Sequence, residues 1–247
     1  MRVLIFVSYD GTSYGGWQKQ NNAPSIEEEL DRAISDLFGQ EIHVIGASRT
    51  DAGVHSAGSA AVFDVESRMP AEKVAYALNA RLPEDIRVMS SREVPSDFHP
   101  RHTDTVKTYC YRIYTGRIMD PRFRLYMHQV YIPLDIEKMR DAAKVLEGEH
   151  DFKSFSSTAT QVTDFVRTIY DISIVEVDHG IEIRVTGNGF LYNMVRIIAG
   201  TLIDVGRGQI EVSKMEEILE ARNREAAGPT APAKGLSLEE IRFLELE

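Results

Sequence analysis

The stretch VLIFVSYDGTSYGGWQKQNNAPSIEEELDRAISDLFG, residues 3–39, decides the fold because it joins a strand, a loop and a helix. Val3–Tyr9 has the apolar composition of a buried strand, and the DGTSYGG that follows contains three glycines, as loops do. Ser25 with Glu28 three residues later forms a capping box, and Gly39 predicts the end of the helix. The apolar face of this helix comprises Ile26, Leu30, Ile34, Leu37 and Phe38.

The patterns that follow complete a six-element unit. The predicted elements are strands at Ile42–Ala47, Gly58–Val65 and Ile86–Val94 and a helix at Pro70–Leu82. The order β-α-β-β-α-β is that of a ferredoxin-like unit, in which two helices cover one face of a four-stranded antiparallel sheet. We expect the other face to be free and to serve as a binding surface.

A similar order recurs after His99, which predicts a duplicated α/β (α+β) fold of two ferredoxin-like subdomains with antiparallel sheets. The predicted subdomains are residues 1–104 and 105–247. The second comprises strands at Val106–Tyr114, Thr168–Val177, Ile181–Thr186 and Leu236–Phe243, and helices at Asp135–Leu146, Leu191–Val205 and about Val212–Ala221, with Arg122–Tyr131 as an extra strand or arm.

Composition favours a folded globular protein, since 43% of the 247 residues are apolar and 27% are charged. The first apolar run ends at Ser8 and is too short for a secretory signal or a membrane span. The single cysteine, Cys110, excludes an intramolecular disulfide and a cysteine-based zinc site. We therefore expect a cytoplasmic protein that makes no use of a membrane.

The net charge of −10 speaks at first against a nucleic-acid partner, because phosphate binding depends on Lys and Arg. The distribution of charge matters more than the total. Between His99 and Arg124 there are six Lys or Arg and two Asp. Arg101 and Lys107 of this segment are candidate substrate-binding residues.

The loop GASRTDAGVHSAG, residues 46–58, is long for a hairpin, and its Asp51 has two alternative roles. In the first, Asp51 belongs to an ordinary turn before Gly53, which is the commoner role of such an aspartate. In the second, the Asp51 carboxylate, flanked by Arg49, is a nucleophile. The local sequence does not choose between them.

A metal site is a weaker alternative, built on Asp51, His43 and His55. The histidines show no short ligand spacing, so we expect no metal. GNG at residues 187–189 precedes a helix but lacks the lysine of a phosphate loop and the spacing of a dinucleotide fingerprint. We therefore expect no nucleotide cofactor.

Two features of the second half of the chain contain further candidate functional residues. Alternation along the strand places Lys107, Tyr109 and Tyr111 on one face, either as core tyrosines or as a stacking platform beside a cation. Arg196 lies inside the apolar run NMVRIIAGTLIDVG, so it either reaches out to water or pairs with a buried carboxylate.

Six blocks of the chain, in this order, resemble the TruA-type tRNA pseudouridine synthases. They are YDGTSYGGWQKQ (9–20), SRTDAGVHS (48–56), FHPRHTDTVKTYCY (98–111), GEHDFKSF (148–155), GNGFLYNMVRIIAGTLIDVGRG (187–208) and APAKGLSLEEIRF (231–243). The resemblance covers nearly the whole chain. The family more often has a glycine before the arginine of the second block, where this chain has Ala47-Ser48.

The resemblance implies the pseudouridine synthase fold and the isomerisation of uridine to pseudouridine at positions 38, 39 and 40 of the tRNA anticodon stem-loop. It implies Asp51 as the catalytic aspartate, Arg196 as its counter-charge and Tyr109 as the aromatic residue that packs on the target uracil. Arg49 would help to hold or flip the nucleotide, and His55 is a further candidate substrate-binding residue. The implied assembly is a homodimer that uses neither a metal nor an organic cofactor.

Two rival functions remain at this point. A noncatalytic RNA-binding module is one, since ferredoxin-like sheets also recognise RNA. A metal-dependent hydrolase that uses Asp51 and His55 is the other, and it predicts that chelators abolish activity.

Overall fold

The structure, a computed structural model, describes residues 1–159 and 162–246 and divides into two compact units. The first comprises Met1–Thr105 with the C-terminal segment that begins at Ser237, and the second comprises Val106–Leu236. Each unit combines helices with antiparallel strands. This confirms the predicted mixed α/β fold class.

The first unit has the predicted order of elements. They are β1 (Arg2–Tyr9), α1 (Ile26–Phe38), β2 (Ile45–Gly46), β3 (His55–Asp64), α2 (Ala71–Asn79) and β4 (Ile86–Val94). Strand β1 lies between β3 and β4 and is antiparallel to both, and β2 adds to β3. One face of β1 packs on α1 and α2 in a single apolar core, through residues such as Val3, Ile5, Leu30, Ile34 and Leu78.

The ends of α1 follow from its sequence. The Ser25 hydroxyl accepts the Glu28 N–H at 3.2 Å, which satisfies a donor that the first helical turn leaves unpaired. Gly39 adopts φ +64° after the last residue and donates its N–H to the Ser35 carbonyl at 2.9 Å. The predicted cap and stop of this helix are both confirmed.

Strand β2 is much shorter than the predicted Ile42–Ala47. The N–H of Ile42 is bound by the Ser35 hydroxyl at 3.0 Å, and that of Val44 by the Asp31 carboxylate at 2.8 Å. These backbone donors therefore pair with side chains of α1 instead of a neighbouring strand. Ile45 and Gly46 pair with β3, and the Ala47 N–H adds a bond to the Ala60 carbonyl at 2.8 Å.

Within the described residues, the second unit contains five strands and three α-helices. They are β5 (Thr105–Tyr114), β6 (His128–Gln129), α3 (Ile136–Lys144), β7 (Gly148–Asp151), β8 (Val166–Val177), β9 (Gly180–Gly187), α4 (Met194–Gly206) and α5 (Lys214–Glu220). The first residue of β5, Thr105, is the last residue of the first unit's N-terminal segment. Strand β9 lies between β5 and β8, and β7 pairs with β8, all antiparallel. Strand β7 was not predicted. Of the predicted extra strand or arm at Arg122–Tyr131, His128 and Gln129 pair with β5 as β6, and the residues before them form turns.

The last strand, β10 (Leu236–Phe243), was assigned to the second subdomain, but from Ser237 onward it packs in the first unit. Ser237 and Leu238 pair in parallel with the start of β3, and the Ser56 hydroxyl donates to the Leu238 carbonyl at 3.0 Å. These bonds to β3 explain the assignment to the first unit. The division at residues 104 and 105 was drawn from sequence order alone.

The sheet face of the first unit that was expected to be free is only partly so. Leu4 and Val62, which point away from α1 and α2, are fully buried. On the same side the Phe6 ring lies 6.4 Å from that of Phe243, and Phe243 lies 5.2 Å from Phe98. The middle of this face is therefore core, whereas Ser90 and Arg92 of β4, opposite Phe6 and Leu4, are exposed.

Candidate active site

Asp51 begins a tight turn in the loop between β2 and β3. The Val54 N–H donates to the Asp51 carbonyl at 3.1 Å, and Gly53 has φ +76°. A positive φ at the third position of a turn favours glycine, which accounts for the Asp-Ala-Gly order. Asp51 itself is half-buried, whereas its neighbours Thr50 and Val54 are buried. The turn alternative and the chemical one are therefore compatible: the backbone makes a turn and presents the carboxylate.

The glycine-rich loop after β1 packs against the backbone of this turn. Trp17 donates its N–H to the Thr50 carbonyl at 3.0 Å, and Gly53 donates to the Tyr14 carbonyl at 3.3 Å. Gly16 has φ +107°, and a Cβ there would lie 2.4 Å from the Thr50 oxygen. A Cβ on Gly11 would lie 2.0 Å from the Val54 oxygen. The glycines allow two backbone segments to touch at both ends of the turn.

Buried polar side chains hold the same region. The Tyr9 and Thr50 hydroxyls form a hydrogen bond of 2.8 Å in the interior. The His55 ring, 7% exposed, accepts the Gly11 N–H on Nδ1 at 3.1 Å, and its Nδ1 lies 3.2 Å from Asp10 Oδ1. His55 thus joins the end of the Asp51 loop to the glycine-rich loop. Among the described residues no group of three or more His, Cys, Asp or Glu side chains could hold a metal ion.

Arg49 and Arg101, the two predicted functional arginines of the first unit, differ in their contacts. The Arg49 side chain is exposed and makes no hydrogen bond or ion pair with any residue that the structure describes. Arg101 donates Nε–H to the Gly46 carbonyl at 2.8 Å, at the start of the Asp51 loop. Arg49 is available to an anion from solution, and Arg101 supports the loop.

In the second unit, β5 separates the tyrosines into two roles. Tyr111 is fully buried and donates its hydroxyl to the Pro232 carbonyl at 3.0 Å, and burial raises the pKa of this hydroxyl. It is a core tyrosine. Tyr109 is 6% exposed and meets the Phe190 ring edge-on at 5.2 Å, while Lys107 is half-buried two residues earlier. Tyr111 is thereby removed from the predicted stacking platform, and the stacking role of Tyr109 stays a prediction.

The basic segment is partly neutralised within its own unit. Arg112 pairs with Glu182 at 3.2 Å, and Arg122 pairs with Asp120 at 2.6 Å. The Arg122 guanidinium lowers the pKa of the Asp120 carboxyl to about 2. The sequence count already included Asp120, so the pairing of Arg112 with Glu182 is what lowers the charge that this segment offers to phosphate.

Arg196 lies in the first turn of α4 and is half-buried. Its Nε donates to the Ala231 carbonyl at 2.8 Å and its Nη1 donates to Asn193 Oδ1 at 2.7 Å. The guanidinium is therefore anchored by two neutral oxygens of its own unit. Neither sequence alternative for Arg196 included these contacts.

Each unit thus holds its own group of predicted residues. The first contains Asp51, Arg49, His55 and Arg101, and the second contains Lys107, Tyr109 and Arg196. The sequence did not single out Gly16, Phe190, Asn193 or Ala231, although each lies within a block quoted above.

Comparison with known proteins gives one family. The tRNA pseudouridine synthase family matches residues 5–102 and 142–244. This chain belongs to that family. The match contains Asp51 and Arg196, whereas Lys107 and Tyr109 lie between its two segments.

Relatives of the same family align end to end with this chain. Three relatives are called tRNA pseudouridine synthase A. The one from a Thermoanaerobacter species is 45% identical to this chain over 241 residues. The ones from Acetivibrio thermocellus and Bacillus subtilis are 44% identical to it, over 241 and 245 residues. Each alignment covers 98% of this chain and 99% of the relative. Among solved structures, a Cbf5-Nop10-Gar1 complex aligns with 96% of this chain and 47% of that one, at 11% identity and a TM-score of 0.37, too low to support an inference.

The tRNA pseudouridine synthases are isomerases, and membership confirms the predicted enzyme class. It decides against the noncatalytic RNA-binding module and the metal-dependent hydrolase. Within the described residues no helix is both long and apolar enough to span a bilayer.

Proposed function

We propose that this chain isomerises uridine to pseudouridine at positions 38, 39 and 40 of the tRNA anticodon stem-loop, with Asp51 as nucleophile. The relatives' name supports tRNA as the substrate. The observation that carries the role of Asp51 is the turn around it, where backbone bonds and the close approach of Gly16 fix the main chain. Asp51 remains half-buried at the tip of this rigid support, and rigid presentation of a reacting group lowers the barrier to reaction.

The reaction breaks the N1–C1′ bond, turns the uracil while it stays bound and forms the C5–C1′ bond. C5 then releases its proton to water and N1 takes up a proton from water. Substrate and product are isomers, so the overall reaction consumes no electrons and requires no cofactor. The carboxylate has to be ionised, and a reference pKa of roughly 3.9 provides this at neutral pH. Arg196 is the proposed counter-charge that keeps Asp51 ionised where water is excluded.

Other residues are proposed to act on the RNA. The target base has to leave its stack, at a cost of a few kcal/mol, and Tyr109 offsets part of this by packing on the uracil. Arg49, exposed beside Asp51, holds the flipped nucleotide through its phosphate or sugar. Contacts of Lys107, Arg101 and His55 with tRNA stay predictions, as do the homodimer, the cytoplasmic location and the subdomain boundary at residue 104.

The substrate assignment can be tested with tRNA transcripts that contain uridine at only one of positions 38, 39 and 40. Pseudouridine should appear at each of the three positions after incubation with the enzyme, detected by carbodiimide-dependent arrest of reverse transcription. A transcript with cytidine at all three positions is the matched control and should remain unmodified. Modification elsewhere in that control would overturn the assignment to the anticodon stem-loop. Activity should also persist in EDTA.

A further inference from the structure

Asn193 has an unusual backbone conformation directly before α4. Its φ is +61° and its ψ is 8°, in the left-handed region. Only Asn193 and Arg222 show a positive φ among the non-glycine residues that the structure describes. Asparagine tolerates this region better than most residues with a side chain, but glycine would adopt it at lower cost. The position therefore favours glycine unless the amide has a use.

The amide of Asn193 is not used in the manner usual for its position. A residue that precedes a helix commonly accepts a backbone N–H of the first turn with its side chain, and Asn193 makes no such bond. Its Oδ1 instead accepts Arg196 Nη1 at 2.7 Å, and its Nδ2 donates to the Ser157 hydroxyl at 3.0 Å. The side chain thus connects the Arg196 guanidinium to a separate segment of the same unit.

A second contact fixes the guanidinium along another edge. Arg196 Nε–H donates to the Ala231 carbonyl at 2.8 Å, and the Ala231 N–H returns a bond to the Arg196 carbonyl at 3.1 Å. The segment before Ala231 is held close to α4, since a Cβ on Gly200 would lie 1.8 Å from the Pro229 oxygen. Because the guanidinium is planar, bonds to Nε and Nη1 together determine the direction of the whole group.

We propose that Asn193 is a positioning residue for the reaction, which sets the direction of the Arg196 guanidinium through Oδ1. The proposal rests on the role of Arg196 given under Proposed function. A charge acts on a reacting group according to its distance and direction, so a guanidinium free to turn stabilises the ionised nucleophile less well. The helix can form without the amide, and the chemistry needs it.

The test uses Asn193→Gly, which suits the left-handed backbone and removes only the amide. We expect the kcat of tritium release from tRNA labelled at uridine C5 to fall about tenfold or more, with KM nearly unchanged. The acid limb of the pH profile of kcat should move to higher pH, because the nucleophile protonates more easily. A merely structural role would not move that limb.

Asn79→Ala is the matched control. Asn79 also makes two hydrogen bonds, at 2.8 Å each, with the backbone of Val88 in the first unit. This variant should lower the unfolding temperature and leave kcat and the pH profile unchanged.

A double-mutant cycle with Arg196→Lys tests whether Asn193 affects kcat through the Arg196 guanidinium. If Asn193 acts through the guanidinium, Asn193→Gly has little further effect in the Arg196→Lys background. Two results would overturn the positioning role of Asn193 alone. One is that Asn193→Gly lowers kcat by the same factor in the wild-type and Arg196→Lys backgrounds. The other is that Asn193→Gly leaves kcat unchanged while Arg196→Lys lowers it. An unimpaired Arg196→Lys would overturn the proposed role of Arg196 as well.

Discussion

Replacement of Gly16 by alanine tests whether the glycine-rich loop holds the Asp51 turn in its working geometry. The new Cβ would lie 2.4 Å from the Thr50 oxygen, 3.1 Å from the Asp51 carbonyl carbon and 3.2 Å from the Ala52 nitrogen. All three atoms belong to the backbone, so no side-chain rotation relieves the contact. Restoring a separation of 3.0 Å from the oxygen requires a displacement of at least about 0.6 Å.

The loss of stability expected in Gly16→Ala has two parts. A φ of +107° is strained for an alanine, at roughly 1 to 3 kcal/mol. Forcing a methyl group into a packed site adds roughly 1 to 3 kcal/mol. The free energy of unfolding should therefore fall by about 2 to 6 kcal/mol in Gly16→Ala. If Asp51 is the nucleophile as proposed, a main-chain shift of this size should also lower kcat by roughly tenfold to a hundredfold.

Gly39→Ala is the matched control. Gly39 also has a positive φ, +64°, but no atom lies within 4 Å of a Cβ built there. This variant should lose only about 1 to 2 kcal/mol, measured by urea unfolding, with kcat unchanged. If Gly16→Ala were no less stable than Gly39→Ala and equally active, the support of the Asp51 turn by this loop would be refuted.

Three further predictions concern the RNA contacts and the core. In a binding titration Tyr109→Phe should retain affinity better than Tyr109→Ala, by about 1 to 3 kcal/mol; equal losses would exclude stacking. The dissociation constant for tRNA should rise steeply with salt, and Arg49→Ala should reduce the slope of its logarithm against log salt by about 1, whereas an unchanged slope would exclude a phosphate contact by Arg49. Because burial raises the pKa of Tyr111, its contribution to stability is present below the unfolded value of about 10 and is lost as pH rises above it. Urea midpoints between pH 8 and about 11 should decline less steeply in Tyr111→Phe, and parallel declines would contradict the assignment.

Regular elements were the most predictable part of the fold. The capping box at Ser25 and the stop at Gly39 lie within a few residues of the atoms they bind, so local sequence suffices. The length of β2 was not predictable, because Ser35 and Asp31 compete for its backbone donors only once α1 is packed beside it. The C-terminal strand was misplaced for a similar reason: its partner, β3, is distant in sequence.

The sequence supplied the motifs of the candidate site but not the contacts that support them. The resemblance to known synthases singled out Asp51 and Arg196 before any geometry was known. Nothing in the sequence indicated that Gly16 approaches the Thr50 oxygen, or that Asn193 adopts a positive φ and binds Arg196. Such contacts depend on how separate segments pack, and hydrophobic periodicity does not encode them.

The measurement that most directly tests the central claim compares the wild-type enzyme with Asp51→Asn. The substitution keeps the size of the side chain and removes its charge, so the turn should persist. Tritium release from tRNA labelled at uridine C5 should vanish, while the dissociation constant for tRNA stays near the wild-type value. Asp178→Asn, in the exposed turn between β8 and β9, is the control and should remain fully active. Tritium release by Asp51→Asn at the wild-type rate would contradict the account.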